Sequence, residues 1–245
     1  MNATNRYMDF FLARHGETPW NKHREMKNPY GESVKGPIIQ GSSDIELNET
    51  GLEQAEQLAQ ELTKSNRQFK KIFCSPLKRA ATTAKIVARE LKLNVIEDQN
   101  FAACSWGVCE GRTREYRTEH FGFDSNGNYR GPQWETLATH ARWSFQPIPG
   151  AESIQSIINR MKHSFTQIVS QSAPTDNVLI VCHQENIKAF ILHCVQESIE
   201  SAREQRDLTH IKELETPDIK NCSLYQVRYH FDTQQFSFDG QVLSK

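Results

Sequence analysis

The chain has 245 residues, with 29 Lys and Arg against 30 Asp and Glu, a formal net charge of −1 and six cysteines. That length suits one α/β domain with insertions and a core of useful size, and the balanced charge gives no electrostatic case for nucleic acid or an anionic membrane as partner. No apolar run approaches the ~20 residues that a bilayer crossing needs, and the scattered cysteines form neither a CxxC pair nor a His–Cys zinc pattern.

From the N-terminus, "MNATNRYMDFFLARHG" passes from polar residues into a short apolar run that ends in charge. It lacks the basic start, longer apolar stretch and cleavage site of a secretory signal. The expectation is a reduced, cytoplasmic protein. "MDFFLA" (8–13), "KIFC" (71–74) and "NVLIVC" (177–182) have the length and continuity of strands buried on both faces. Residues 22–40 are polar, with Pro29, Gly31, Gly36 and Pro37, and read as a long loop. "ETGLEQAEQLAQELTKS" carries Leu52, Ala55, Leu58, Ala59 and Leu62 at helical spacing. "SPLKRAATTAKIVAREL" reads as a helix with Ser75 as N-cap and Pro76 at the first helical position. Residues 111–150 are rich in aromatics, Gly and Pro, and read as an insertion over the sheet with two short helices. "ESIQSIINRMKHSFTQIVSQ" and "ENIKAFILHCVQESI" are two further helices, and "CSLYQVRYHF" with "QFSFDG" reads as an antiparallel hairpin. The alternation predicts a three-layer α/β/α sandwich with a mainly parallel central sheet. Residues 1–245 read as one domain with insertions at about 22–40 and 111–150.

In an open parallel sheet, functional groups gather at the carboxyl ends of the strands. The first strand leads into "LARHGETPWN", with Arg14 and His15, and the last into "LIVCHQEN", with His183. The middle one leads into "CSPLKRA", which places Arg79 about one turn into its helix. Two histidines and two arginines suit a phosphoryl group. Arginine forks match phosphate oxygens and stay charged. A neutral imidazole is a nucleophile, and a protonated one stabilises charge on the equatorial oxygens. His23, His120, His140, His163, His193, His210 and His230 lack such settings and read as structural or surface residues, as Trp106, Trp134 and Trp143 read as packing.

These segments resemble the histidine phosphatase superfamily, with its phosphoglycerate mutase-like fold, over nearly the whole chain. "RHGETPWN" (14–21) matches the family signature, and "QGSSDIELNETGLEQA" (40–55) the segment that follows it, after a longer loop than usual. "CSPLKRAATTA" (74–84) matches the second arginine motif, "PGAES" (149–153) the turn opening the next helix, "VLIVCHQENIKAF" (178–190) the second-histidine motif and "IKNCSLYQV" (219–227) the closing strand. The resemblance implies His15 as the nucleophile that becomes phosphohistidine. It implies Arg14, Arg79 and His183 as ligands of the phosphoryl oxygens, and Asn21 as a further polar contact. It also implies a small phosphorylated substrate or phosphate ion as partner and two-step transfer to water. No metal or other cofactor is implied, since the arginines supply the charge stabilisation.

Two departures bear on the acid. Against the pattern "LxExxxGxxEG", the stretch "FAACSWGVCEG" (101–111) keeps Phe101, Gly107, Glu110 and Gly111 in register but has Ala103 at the acid's position. After His183 comes "HQE", which resembles the "HAE" of the inositol polyphosphate phosphatase branch and offers Glu185 instead. A carboxyl at that strand-to-helix turn can protonate a leaving oxygen and then deprotonate water. The helix N-terminus favours its ionised form, and a nearby phosphate charge favours its protonated one. The readings that stay open are a phosphatase with Glu185 as catalytic acid, one with Glu110, and an acid-free phosphatase for labile substrates such as phosphohistidine. A phosphoglycerate mutase-type phosphotransferase and a weakened phospho-ligand binding or scaffold protein also remain. Lys22, His23, Arg24, Lys27 and Lys35 in one loop and Arg112, Arg114, Arg117 and Arg130 in the other suggest a substrate with more than one anionic group, unless Glu25, Glu32, Glu115 and Glu119 neutralise them. Oligomeric state is not legible.

Overall fold

A computed structural model describes residues 6–22, 24–123, 144–204 and 218–243. Eight strands are present among them: β1 (Tyr7–Arg14), β2 (Glu25–Lys27), β3 (Ser33–Lys35), β4 (Phe69–Cys74), β5 (Val95–Glu97), β6 (Asn177–Cys182), β7 (Leu224–His230) and β8 (Gln235–Leu243). Helices are α1 (Glu49–Lys64), α2 (Lys78–Leu91), α3 (Arg114–Phe121), α4 (Ile154–Ser170) and α5 (Gln184–Glu204). Six strands form one sheet in the order β5-β4-β6-β1-β7-β8. The β5–β4, β4–β6 and β6–β1 pairs are parallel, and β7 and β8 continue antiparallel. The sheet is therefore mixed, with a parallel half that ends in the chemistry and a closing hairpin.

Alternation along β1 builds both outer layers. Phe10 and Leu12 face α4 and α5, in a cluster with Phe165, Ile180 and Phe190. Phe11 and Ala13 face α1 and α2, with Leu58, Ala84, Val87 and Val181. Phe165 anchors the first layer: its ring lies 4.6 Å from that of Phe10, edge-on, and 4.3 Å from that of Phe190, stacked. Truncating it to Ala would cost about 3–5 kcal/mol.

The sequence expectations need three corrections. Residues 22–40 are not a plain loop, because β2 and β3 pair antiparallel with Met26 opposite Val34. Their turn is set by Asn28, whose side-chain oxygen accepts from the Tyr30 and Glu32 amides. Ser75 is not an N-cap. Residues 75–77 stay outside the helix, α2 begins at Lys78 after Leu77 without a side-chain cap, and Arg79 falls in the first turn. The Ser75 hydroxyl instead meets His183, as described below. Of the two short helices expected in 111–150, α3 is present, capped by Thr113; the other lies outside the described residues, as do Trp134 and Trp143. Trp106 packs in the core as expected. All six cysteines are buried, and none is in a disulfide. No described helix is long and apolar enough to cross a membrane.

Candidate active site

Parallel pairing sets Arg14 of β1 opposite Cys182 of β6, so the next residues, His15 and His183, leave the sheet side by side. The His15 amide donates to the Cys182 carbonyl at 3.1 Å, and the two imidazole rings are 5.2 Å apart. Both side chains are almost fully buried.

The ring of His15 is fixed at both nitrogens. Nδ1 lies 2.7 Å from the Gly16 carbonyl, which can only accept, so Nδ1 carries the hydrogen. Nε2 then holds the free lone pair, and Arg79 Nε donates to it at 3.2 Å. Burial, and then the charges of Arg79 and Arg14, hold the imidazole pKa well below 6.5. His15 is thus a neutral imidazole with its nucleophilic nitrogen turned toward a guanidinium. The loop behind it is tight. A Cβ on Gly16 would fall 2.4 Å from the Gly51 carbonyl, and one on Gly51 2.0 Å from that of Glu17, so only glycines let α1 abut this loop.

At His183 the partner is a hydroxyl. The Ser75 hydroxyl accepts from the Leu77 amide at 3.2 Å and lies 2.8 Å from His183 Nε2. The hydroxyl keeps a second lone pair, so it can serve the imidazole as donor or acceptor; as donor it leaves the hydrogen of His183 on Nδ1. Burial foremost, then the charges of Arg79 and His15, push the pKa of His183 well below 6.5. The sequence reading allowed this ring to be protonated; burial and the neighbouring positive charge favour the neutral imidazole instead.

The two arginines are held differently. Arg79 is 1% exposed, and its Nη1 and Nη2 donate to the Ser43 and Gly41 carbonyls at 2.6 and 2.8 Å. Arg14 donates through Nη1 to the Ile219 carbonyl at 2.6 Å. Burial lowers both guanidinium pKa values to about 10, so both stay charged at neutral pH. Arg14 Nε and His183 Nδ1 are buried without a protein partner among the described residues. An unsatisfied buried polar atom costs about 1–3 kcal/mol. One anion offering oxygens would satisfy both.

Glu185 sits half-buried in the first turn of α5, and its charge is the largest of those that offset the burial penalty on Arg14. Its Oε1 accepts from Gln184 Nε2 at 3.4 Å. Asn21 turns inward on its own loop, where its Oδ1 accepts from the Thr18 amide and hydroxyl at 3.0 and 3.1 Å. Glu110 is occupied: its Oε1 accepts from the Ser42 and Trp106 amides, both at 2.9 Å, and the Ser42 hydroxyl lies 2.9 Å from each oxygen. Ala103 is half-buried. Three basic residues of the covering loops, Lys22, Arg112 and Arg117, are engaged. Lys22 meets Glu17, and Arg112 pairs with Glu32 while lying over the Tyr30 ring. Arg117 lies over Trp106 and Phe123. Arg114 is exposed, within range of the charge on Arg14. Arg130 and His23 lie outside the described residues.

Four supporting residues escaped the sequence reading. Besides Ser75, Thr83 accepts from the Gly16 amide and donates to the Arg79 carbonyl. Asn221 donates to the His15 carbonyl at 2.9 Å. Asn186, fully buried, donates to the Phe101 and Ala102 carbonyls and ties the loop before Ala103 to the start of α5. Thr83, Asn186 and Asn221 act on backbone and Ser75 on the His183 ring, and only the phase of α2 and α5 against their strand ends could have pointed to Ser75 and Asn186.

The profile of the histidine phosphatase superfamily (branch 1) matches residues 10–238. The chain is 30% identical to phosphoserine phosphatase 1 of Hydrogenobacter thermophilus over 183 residues, 73% of this chain and 72% of the relative. It is 29% identical to the uncharacterized phosphatase PhoE of Bacillus subtilis over 180 residues, 74% of each. Among solved structures, a phosphoglycerate mutase from Bacillus anthracis superposes with a TM-score of 0.69 at 20% identity, covering 96% of this chain and 93% of the other.

Proposed function

The chain belongs to the histidine phosphatase superfamily, and on that premise we propose that it is a phosphomonoester hydrolase working through a phosphohistidine at His15. The observation that carries this reading is the fixed tautomer of His15, with Nδ1–H on the Gly16 carbonyl and the Nε2 lone pair 3.2 Å from Arg79 Nε. In the first step Nε2 attacks phosphorus, and the bond to the leaving oxygen breaks. Arg79 Nε passes from the nitrogen to a phosphoryl oxygen, Arg14 Nε and His183 Nδ1–H take others, and no protein dipole has to reorganise. In the second step water attacks phosphorus, the P–N bond breaks, and neutral His15 returns.

Glu185 is the proposed acid and base. As a carboxylic acid it protonates the leaving oxygen; as a carboxylate it takes the proton of the attacking water. Its place two residues past His183, with its charge felt at Arg14, supports this, and the donors that crowd Glu110 argue against that residue. Exposed Arg114 supports a substrate whose second anionic group lies on the Arg14 side of the phosphate. Ala103 favours one further reading, a site that cleaves bonds needing no proton donor, such as the P–N bond of a phosphohistidine.

The test is phosphate release from an aryl phosphate and from glycerol phosphate in parallel, with acid-labile phosphate counted on His15. Turnover of both, with label on His15, is the expected result. Turnover of the aryl ester alone removes Glu185 from its role. Label that passes to an added phosphoglycerate rather than to water makes the protein a mutase. Absence of both label and turnover makes it a phospho-ligand binding protein.

A further inference from the structure

The segment between residues 40 and 46 has no regular secondary structure, yet it grips the most buried guanidinium of the site. Gly41 and Ser43 present their carbonyls to Arg79 Nη2 and Nη1. Those two bonds aim the remaining nitrogen, Nε, at His15 Nε2. An irregular segment holds a carbonyl in place only if something else fixes its backbone.

That fixture is the carboxylate of Glu110. It accepts from the Ser42 amide at 2.9 Å, from the Ser42 hydroxyl at 2.9 Å and from the Ser43 hydroxyl at 3.5 Å, so three donors of the gripping segment converge on one group. Its fourth donor, the Trp106 amide at 2.9 Å, anchors it to the opposite wall. Packing here is close. Gly41 has a φ of +49°, and a Cβ on it would lie 2.2 Å from Glu110 Oε1. The Tyr30 hydroxyl adds a bond to the Glu110 carbonyl at 2.9 Å.

We infer that Glu110 is a positioning residue. It sets the carbonyls of Gly41 and Ser43, and through them the orientation of Arg79, without touching the phosphoryl group. The inference rests on the reading of Arg79 as a phosphate ligand. A carboxylate suits the task because it accepts several bonds at two oxygens and donates none. Glutamine keeps one oxygen for the two amides but turns a donor toward the serine hydroxyls.

The experiment is calorimetric titration of the full chain with inorganic phosphate, for wild type, Glu110→Ala, Arg79→Ala and the double variant, each well below its own thermal midpoint. Glu110→Ala is expected to weaken phosphate about tenfold, within the range of couplings in one hydrogen-bond network. In the Arg79→Ala background the same change is expected to do almost nothing, because the group it acts through is gone. Glu110→Gln and Ser42→Ala, milder changes, should give smaller losses and keep the measurement open if Glu110→Ala does not fold. A purely structural Glu110 would lower the thermal midpoint and leave phosphate affinity alone, or cost the same with and without Arg79; either result overturns the inference. If wild type and Arg79→Ala bind phosphate equally, the reading of Arg79 fails first and the inference goes with it. If Arg79 matters and Glu110 does not, only the inference fails.

Discussion

The floor of this site and its covering loops are built on different physics. The floor stands on two parallel strand ends. His15, His183 and Arg79 are buried there, and each is aimed by hydrogen bonds to groups far away in sequence. The cover consists of the β2–β3 hairpin and the segment from 101 to 123, joined by short bridges such as Ile38 to Thr113. Its charged residues meet at the surface, as Arg112 does with Glu32. The floor therefore fixes which bond can be broken, while exposed charges of the cover other than Glu110 and Arg114 can vary without disturbing the chemistry.

The sharpest way to break this contrast is at His15. His15→Ala should abolish acid-labile phosphate on the protein and lower kcat by about 10⁴–10⁶, as loss of a nucleophile does elsewhere. Retained turnover with no label would mean that the floor works by another route. Next comes Glu185→Gln, expected to cost about 10²–10⁴ in kcat on glycerol phosphate and much less on an aryl phosphate. Equal losses on both would show that Glu185 holds Arg14 rather than moving a proton.

Stability against pH probes the floor alone. His15 and His183 are kept neutral when folded, with pKa values well below the ordinary 6.5. The unfolded chain binds more protons at these sites below pH 6.5, so their neutral burial is fully compatible with folding above that pH. Stability is lost as pH falls from about 6.5 toward the folded pKa values. The slope is up to about 1.4 kcal/mol per pH unit for each histidine. Urea unfolding of wild type and of His15→Asn between pH 7.5 and 5 checks this: the variant should show the shallower slope. An identical slope would place the lost protons elsewhere. The smallest effect belongs to the cover. Glu32→Gln, which removes an exposed pair, should leave the urea midpoint unmoved and kcat/KM on an aryl phosphate within about twofold. A large loss would make the cover part of the chemistry.

The same contrast explains what the sequence alone revealed. β1, β4 and β6 were legible because each apolar run is continuous, and the four floor residues were legible because they follow or lie close to those runs. The β2–β3 hairpin was not. Each strand is three residues long, with one half-buried side chain between two exposed ones, which is too short for any period to register. Ser75 was misread because "SP" before an apolar helix looks like a cap; a buried histidine 108 residues later claims its hydroxyl. The resemblance implied a polar contact from Asn21; its oxygen accepts from Thr18 on its own loop. Glu110 looked like a candidate acid until its donors were visible.

One further consequence follows from how Arg14 is held. Its backbone pairs with Cys222 and Ser223, its guanidinium rests on Ile219, and Asn221 caps the carbonyl of His15. These partners lie more than 200 positions further along the chain. Closing so long a loop is entropically slow. A ribosome that has reached Glu185 has made every residue proposed for catalysis, but not yet the partners that hold Arg14. The hold on Arg14 is completed only by residues 219–223.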